Sequence, residues 1–111
     1  MELVGGKALE KSPPRLKKRT ENNFSFTLLD VREPYEIEFA KIEPYVHIPM
    51  GTLPVRHEEM DKGTPIVVMC HTGVRSAQVC QYLEPLGYNV TNLKGGIDAW
   101  SVLVDLTVPR Y

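Results

Sequence analysis

The sequence contains few cysteines, no long apolar run and no excess of charge of either sign. Two cysteines among 111 residues are too few for a disulfide scaffold, and they indicate free thiols in a reducing, cytoplasmic compartment. The longest apolar run, residues 66–70, is too short to cross a bilayer, and residues 1–6 lack the basic start and apolar core of a signal peptide. Thirteen basic and fourteen acidic residues give a net charge of −1, which argues against nucleic acid as the main partner.

The composition is that of an ordinary globular protein, with 42% hydrophobic and 24% charged residues. We expect one domain over residues 1–111, with a core at about 22–103, a basic N-terminal segment at 1–21 and a C-terminal tail at 104–111. Ser12 before Pro13 and Pro14 predicts a helix near 13–21. A solvated helix face explains the charge of this segment, and a docking patch for an acidic partner is the alternative. The oligomeric state is left open.

The rest of the chain alternates between predicted strands and predicted helices. The strand candidates are residues 26–31, 46–49, 65–70 and 89–93, and the helix candidates are residues 34–40, 53–61, 75–84 and 97–103. Strands that are apolar on both faces are typical of parallel sheets covered by helices. The pattern therefore predicts a doubly wound α/β domain.

The helix at 75–84 has a clear apolar stripe. Val79, Cys80 and Leu83 share one face, and Pro85 ends the helix before Gly87, which suits a left-handed cap. We interpret Cys80 as a core residue, with a resolving thiol as the alternative.

The loop after the strand at 65–70 carries the candidate chemistry. It reads Cys70-His71-Thr72-Gly73-Val74-Arg75-Ser76 and runs directly into the helix. Gly73 permits a tight curl that directs successive amides at one point, where the helix dipole is also positive. Arg75 adds a positive charge, and this environment favours a nucleophilic thiolate at Cys70. We expect the sulfur of Cys70 to lie at the crevice beyond the sheet, outside the core.

The pattern Cys-x-x-Gly-x-Arg at 70–75 resembles the active-site loop of rhodanese domains. Residues 28–34, 48–51 and 92–100 resemble three further motifs of that family, in the same order and spacing, so that the resemblance covers about residues 22–103. It implies a mainly parallel, roughly five-stranded sheet with helices on both faces. Residues 104–111 resemble the end of rhodanese domains fused to E1-like adenylyltransferases of sulfur-carrier pathways.

The resemblance implies a sulfurtransferase in which Cys70 is catalytic. Its thiolate takes a sulfane sulfur from thiosulfate or a persulfide and passes it to a thiol, cyanide or a sulfur-carrier protein. The substrate-binding residues are the rest of the loop: His71, Thr72, Gly73, Val74, Arg75 and Ser76. No cofactor and no metal is implied, and no Cys/His spacing resembles a zinc site.

Asp30 and Arg32 are read as a brace beneath the loop, with a catalytic carboxylate and a substrate arginine as the alternative. His71 is placed on the rim of the site, with a proton-handling role as the alternative. Family members that favour thiosulfate often carry more positive charge in this loop, where this chain has Thr72 and a partly neutral His71. Trp100 is expected to pack the last helix onto the sheet.

Three other functions compete with small-molecule turnover. The domain can act as a persulfide relay that hands sulfur to one partner protein, or as an inactive docking module. Phosphatases of similar fold have one more residue between the cysteine and the arginine, and their wider loop encircles a phosphate. The shorter loop here suits a single sulfur atom and argues against phosphatase activity.

Overall fold

The computed structural model describes residues 9–21 and 25–111, which form a parallel sheet with helices on both faces. The first eight residues of the basic segment and residues 22–24, at the predicted start of the core, lie outside the described residues. The strands are β1 (Leu9–Lys11), β2 (Thr27–Asp30), β3 (Val46–His47), β4 (Ile66–Met69) and β5 (Val90–Leu93). The helices are α1 (Pro13–Glu21), α2 (Pro34–Phe39), α3 (Leu53–Arg56), α4 (Val74–Leu83) and α5 (Gly96–Leu103).

The strand order is β1-β5-β4-β2-β3, and every neighbouring pair is parallel. All four residues of β4 are buried because this strand lies at the centre of the sheet and is covered on both faces. Successive side chains point to opposite faces, so Val68 packs into one apolar cluster and Val67 into the other. The Val68 cluster includes the α4 stripe, and the Val67 cluster includes Trp100 of α5.

The structure confirms the fold class and most of the predicted elements. The α4 stripe of Val79, Cys80 and Leu83 is buried, and Gly87 adopts a left-handed conformation after the turn at Pro85. Trp100 packs in the apolar cluster between α5 and the sheet. The helix predicted at 13–21 is α1.

The helix predicted at 53–61 is wrong in its length. The α-helix α3 covers Leu53–Arg56 only, and a short 3-10 turn follows at His57–Glu59. Leu53 is the buried residue of α3, whereas Val55 is strongly exposed. Since an apolar face anchors a helix to its domain, one buried residue does not hold a longer helix in place.

Parallel strands bring three loops to the same edge of the sheet. Asp30 at the end of β2 is in register with Met69 of β4, so it lies beside the residue that precedes Cys70. The loop after β5 reaches the same edge and contains Gly95 and Gly96. No helix in the described part of the chain is both long and apolar enough to cross a membrane.

Candidate active site

The loop between β4 and α4 curls tightly at Gly73. This residue has a φ of +100°, which side chains rarely permit. A Cβ atom at this position would lie 3.2 Å from the backbone nitrogen of Gly95 and 3.6 Å from the carbonyl oxygen of Leu93. The curl therefore packs directly against the loop that follows β5, and glycine is required on both grounds.

The sulfur of Cys70 accepts a hydrogen bond from one backbone amide of its own loop and lies within hydrogen-bond distance of one hydroxyl. The backbone N–H of Gly73 lies 3.1 Å from Sγ, and the hydroxyl oxygen of Ser76 lies 3.3 Å from it. The prediction that this residue lies outside the core is wrong, because Cys70 is only 1% exposed and belongs to the apolar cluster that includes the α4 stripe. The loop closes over the end of β4, so the thiol has apolar side chains beneath it and polar donors above it.

The start of α5 fixes the peptide groups of this loop. The N–H of Ile97 donates to the carbonyl of Cys70 at 3.0 Å, and that of Asp98 donates to the carbonyl of His71 at 3.1 Å. Gly96 makes this contact possible because its φ is +62° and a Cβ atom there would collide with both carbonyl groups. The Gly95-Gly96 pair thus holds the active-site loop by its backbone.

This anchoring determines where the loop amides point. In a trans peptide the C=O and N–H groups are antiparallel, so the amides of His71 and Thr72 point away from α5. The amides of Val74, Arg75 and Ser76 are the first of α4 and have no intrahelical acceptor. In the described part of the chain, only the Gly73 amide contacts the sulfur, and these five amides stay predicted donors.

Asn92 of β5 supports the loop from below. Its Oδ1 lies within hydrogen-bond distance of the Ser76 hydroxyl, and its Nδ2 donates to the carbonyl of Gly73 at 3.2 Å. A hydroxyl carries one proton, so Ser76 donates either to Asn92 or to the Cys70 sulfur. Sequence reasoning placed Asn92 in a family motif without a role. The available signal was an asparagine, which is uncommon in strands, next to the strand formers Val90 and Thr91.

Arg75 forms an ion pair with Glu36 of α2. The two nitrogens of its guanidinium fork lie 2.7 and 2.9 Å from the two carboxylate oxygens, and the Glu36 side chain is only 5% exposed. The Arg75 hydrogen bonds lower the pKa of Glu36 to about 2 although burial opposes this change. The positive charge predicted for the loop is therefore paired with a carboxylate that the sequence analysis did not single out.

Asp30 and Arg32 form a second ion pair, in which both side chains are fully buried. Arg32 donates from Nε and Nη2 to the two carboxylate oxygens at 2.9 and 2.7 Å, and Nη2 also donates to the carbonyl of Ala40. A carboxylate enclosed in this way is not available as a proton acceptor, so the geometry is that of a brace.

Comparison with known proteins gives the same family from sequence and from structure. A model of the Rhodanese-like domain family matches residues 12–103. The chain is 40% identical over 91 residues to the protein named "Putative sulfurtransferase YtwF" of Bacillus subtilis (strain 168), a match that covers 82% of this chain and 88% of that protein. A sulfurtransferase of Allochromatium vinosum is 39% identical over 87 residues, which cover 78% of this chain and 81% of that protein.

A solved structure of a rhodanese-like domain protein from Staphylococcus aureus superimposes with a TM-score of 0.81 and 29% identity, over 93% of this chain and 98% of that chain. The chain belongs to the rhodanese-like domain family. Its relatives place it with the rhodanese-type sulfurtransferases, and the resemblance seen in the sequence is confirmed.

Tyr111 completes the site of this rhodanese-like domain. Its hydroxyl accepts a hydrogen bond from Nη1 of Arg32 at 2.8 Å and donates one to Oε2 of Glu36 at 2.7 Å. Burial raises the pKa of Tyr111 to about 12, so the hydroxyl keeps its proton at physiological pH. The sequence analysis treated this residue only as part of a tail.

The remaining loop side chains face outward. Thr72 is exposed, and so is Val74, which agrees with a loop that turns its amides inward. His71 is half-buried, because the ring of Tyr111 stacks on it. Residues 9–21 and 25–111 contain no group of three or more His, Cys, Asp or Glu side chains placed to hold a metal ion.

Proposed function

We propose that this rhodanese-like domain transfers sulfane sulfur through a persulfide on Cys70. The observation that carries the proposal is the polar setting of Sγ, which accepts from the Gly73 amide and lies 3.3 Å from the Ser76 hydroxyl. Hydrogen bonds to an ionised sulfur stabilise it, and they favour the thiolate as nucleophile.

The reaction has two half-reactions. The Cys70 thiolate attacks the sulfane sulfur of the donor, the S–S bond of the donor breaks, and the donor leaves as sulfite from thiosulfate or as a thiolate from a persulfide. The enzyme then carries a Cys70–S–S⁻ group. A second nucleophile, such as cyanide or a thiolate, attacks the outer sulfur, and the electron pair of the S–S bond returns to Cys70.

The loop amides suit the intermediate. The outer sulfur of a persulfide lies beyond Sγ and carries the negative charge, so it needs donors farther along the loop than Gly73. The amides of His71 and Thr72 and those at the start of α4 are free to take this part. Preformed dipoles act here without rearrangement, which is the efficient way to stabilise developing charge.

The geometry does not favour phosphatase activity. Phosphate recognition uses an arginine fork that binds two phosphate oxygens at once. In this structure both fork nitrogens of Arg75 bind the carboxylate of Glu36 instead. The negative carboxylate behind the loop also opposes the binding of a phosphate dianion.

Exposed apolar side chains beside the site favour a protein as the sulfur acceptor. Val74 in the loop is 65% exposed, and Phe39 of α2, whose ring contacts Tyr111, is 54% exposed. A small thiol is too small to cover these side chains, whereas a sulfur-carrier protein buries them on docking. We therefore place a persulfide relay to such a partner beside small-molecule turnover, and we propose a reducing, cytoplasmic setting for it.

Intact-mass measurement after incubation with thiosulfate or a low-molecular-weight persulfide tests the proposal. We expect wild type to gain the mass of one sulfur atom and Cys70→Ala to gain none. Cys80→Ala is the matched control, because Cys80 is equally buried but lies on the core face of α4, and it should gain the sulfur as wild type does. Failure of wild type to gain sulfur from either donor contradicts the proposal.

Comparing the rate of Cys70 loading with the rate of thiocyanate release distinguishes small-molecule turnover from a relay. Rapid loading of Cys70 with slow release of thiocyanate to cyanide indicates a relay, whereas fast release indicates small-molecule turnover. An inactive docking module loads no sulfur at all.

A further inference from the structure

The segment after α5 folds back toward the active-site loop. Ser101 donates a hydrogen bond from its hydroxyl to the carbonyl of Val108 at 2.6 Å, and the Val108 side chain packs against the apolar cluster around Trp100. Arg110 then pairs with Asp98 at 2.8 Å. These contacts deliver the side chain of Tyr111 to the loop.

The Tyr111 hydroxyl lies between the two ion pairs of the site. It accepts from Arg32, which is bound to Asp30, and it donates to Glu36, which is bound to Arg75. Without this hydroxyl, Nη1 of Arg32 retains only a 3.4 Å contact with the carbonyl of Glu36. The hydroxyl therefore couples the brace under β2 to the arginine at the start of α4.

The Tyr111 ring holds the other side of the loop. It stacks on the imidazole of His71 with 3.9 Å between ring centroids and 7° between ring planes. Nε2 of His71 is buried and has no hydrogen-bond partner among the described residues. A half-buried imidazole that lacks this bond depends on packing for its position, and Tyr111 provides that packing.

We propose that Tyr111 is a positioning residue for sulfur transfer. His71 and Arg75 lie on opposite sides of Gly73, and the Tyr111 side chain holds one by its ring and the other, through Glu36, by its hydroxyl. Fixing the loop at both sides keeps its amides and the Ser76 hydroxyl in place around the Cys70 sulfur. The inference rests on the proposed sulfur transfer, which it deepens.

The test compares Tyr111→Phe and Tyr111→Ala with the same changes at Tyr82. Tyr82 is a fair control because it lies on the outer side of α4 and is 42% exposed, against 40% for Tyr111. Three quantities are measured for each variant: kcat and KM for transfer from thiosulfate to cyanide, the rate of Cys70 alkylation by iodoacetamide in a Cys80→Ala background, and Tm.

Tyr111→Ala removes the stacked ring and both hydrogen bonds of the hydroxyl, and we expect it to lower kcat about tenfold, with KM changed less than about twofold. Alkylation of Cys70 should become several times faster, because a loosened loop exposes the sulfur. Tyr111→Phe loses both hydrogen bonds but keeps the stacked ring, so it should lower kcat less, about threefold, and leave alkylation unchanged. Because unfolding also exposes the buried Cys70, faster alkylation supports the proposal only where it exceeds the change in a Tyr82 variant of similar Tm.

The proposal is overturned if both Tyr111 variants match their Tyr82 counterparts in kcat and in alkylation. It is equally overturned if the slower transfer and faster alkylation of Tyr111→Ala are matched by a Tyr82 variant with the same fall in Tm. If wild type transfers no sulfur, the proposed function fails, yet the alkylation rates still decide the inference. Faster alkylation in Tyr111→Ala than in Tyr82→Ala then supports the positioning role of Tyr111, and equal rates refute it.

Discussion

Replacing Glu36 with glutamine should destabilise the domain more than the loss of one charge does by itself. The carboxylate accepts hydrogen bonds from the Glu33 amide and Arg75 Nη1 on one oxygen, and from Arg75 Nη2 and the Tyr111 hydroxyl on the other. Every partner is a donor, but one end of a glutamine amide is itself a donor. Glu36→Gln therefore loses the charge and also directs an NH₂ group at two donors.

The magnitude follows from the pKa and the burial of the pair. Lowering the pKa of Glu36 from 4.5 to about 2 corresponds to about 3 kcal/mol of favourable interaction in the folded state. Because the Arg75 side chain is 33% exposed, water replaces part of what it loses. We expect a net loss of about 2 kcal/mol in the free energy of unfolding, which is a fall in Tm of about 8 °C for a domain of this size.

The pH dependence of the loss has a definite sign. Since the folded-state pKa of Glu36 lies below its unfolded value, the stabilisation is complete above about pH 4.5 and disappears as the pH falls toward 2. Glutamine does not titrate. The difference in stability between wild type and Glu36→Gln should therefore be constant from pH 7 to pH 5 and should shrink below pH 4.5.

Urea denaturation at several pH values measures this difference directly. Glu59→Gln is the control, because Glu59 makes a similar pair with Arg56 on the exposed surface, and it should leave the urea midpoint unchanged. A double-mutant cycle with Arg75→Gln assigns the loss to the pair. The reasoning is refuted if Glu36→Gln is no less stable than Glu59→Gln, or if its deficit persists undiminished at pH 3.

Two further substitutions test the loop itself. Ser76→Ala removes a donor from the Cys70 sulfur and should slow persulfide formation about tenfold in rapid-mixing experiments, the lower end for a hydrogen bond to a charged group; an unchanged rate would show that the amides suffice. Gly96→Ala forces a methyl group against the carbonyls of Cys70 and His71 at a left-handed φ. We expect the free energy of unfolding to fall by about 2 kcal/mol or more, which lowers Tm, and we expect sulfur transfer to slow. Gly51→Ala, whose Cβ meets nothing within 4 Å, should leave both unchanged, and equal effects at the two glycines would contradict the role assigned to Gly96.

The sequence predicted best those features that depend on neighbouring residues. The central strand was visible as a short apolar run between a proline and a polar loop, and α4 as an apolar stripe ended by Pro85. The loop at 70–76 was found in the same way, because its glycine, its cysteine and the helix start are adjacent in sequence. In each case local geometry decides the structure.

The residues that the sequence did not single out are held by distant parts of the chain. Glu36 and Arg75 are 39 positions apart, and Glu36 and Tyr111 are 75 positions apart. The sequence also offers a simpler role for Glu36, because a glutamate at this position caps the start of α2 by accepting a hydrogen bond from the Glu33 amide. That role gives no reason to look for a distant partner. β1 is only three residues long, and its pairing with β5 decides that it is a strand. No local sequence pattern indicates which distant residue or strand is the partner.

If the loop holds a persulfide as proposed, the balance of charge in the site determines how it selects its ligand. Asp30 pairs with Arg32, and Glu36 pairs with Arg75, so a carboxylate compensates each of these arginine charges, although Arg75 still interacts with Cys70. We therefore expect short-range dipoles to provide most of the stabilisation of an anionic sulfur. These act only on an atom that fits inside the curl of the loop, which has four residues between Cys70 and Arg75. Selection by fit rather than by charge suits one added sulfur atom. We therefore expect Gly96→Ala to slow sulfur transfer more than Arg75→Gln does in the same assay.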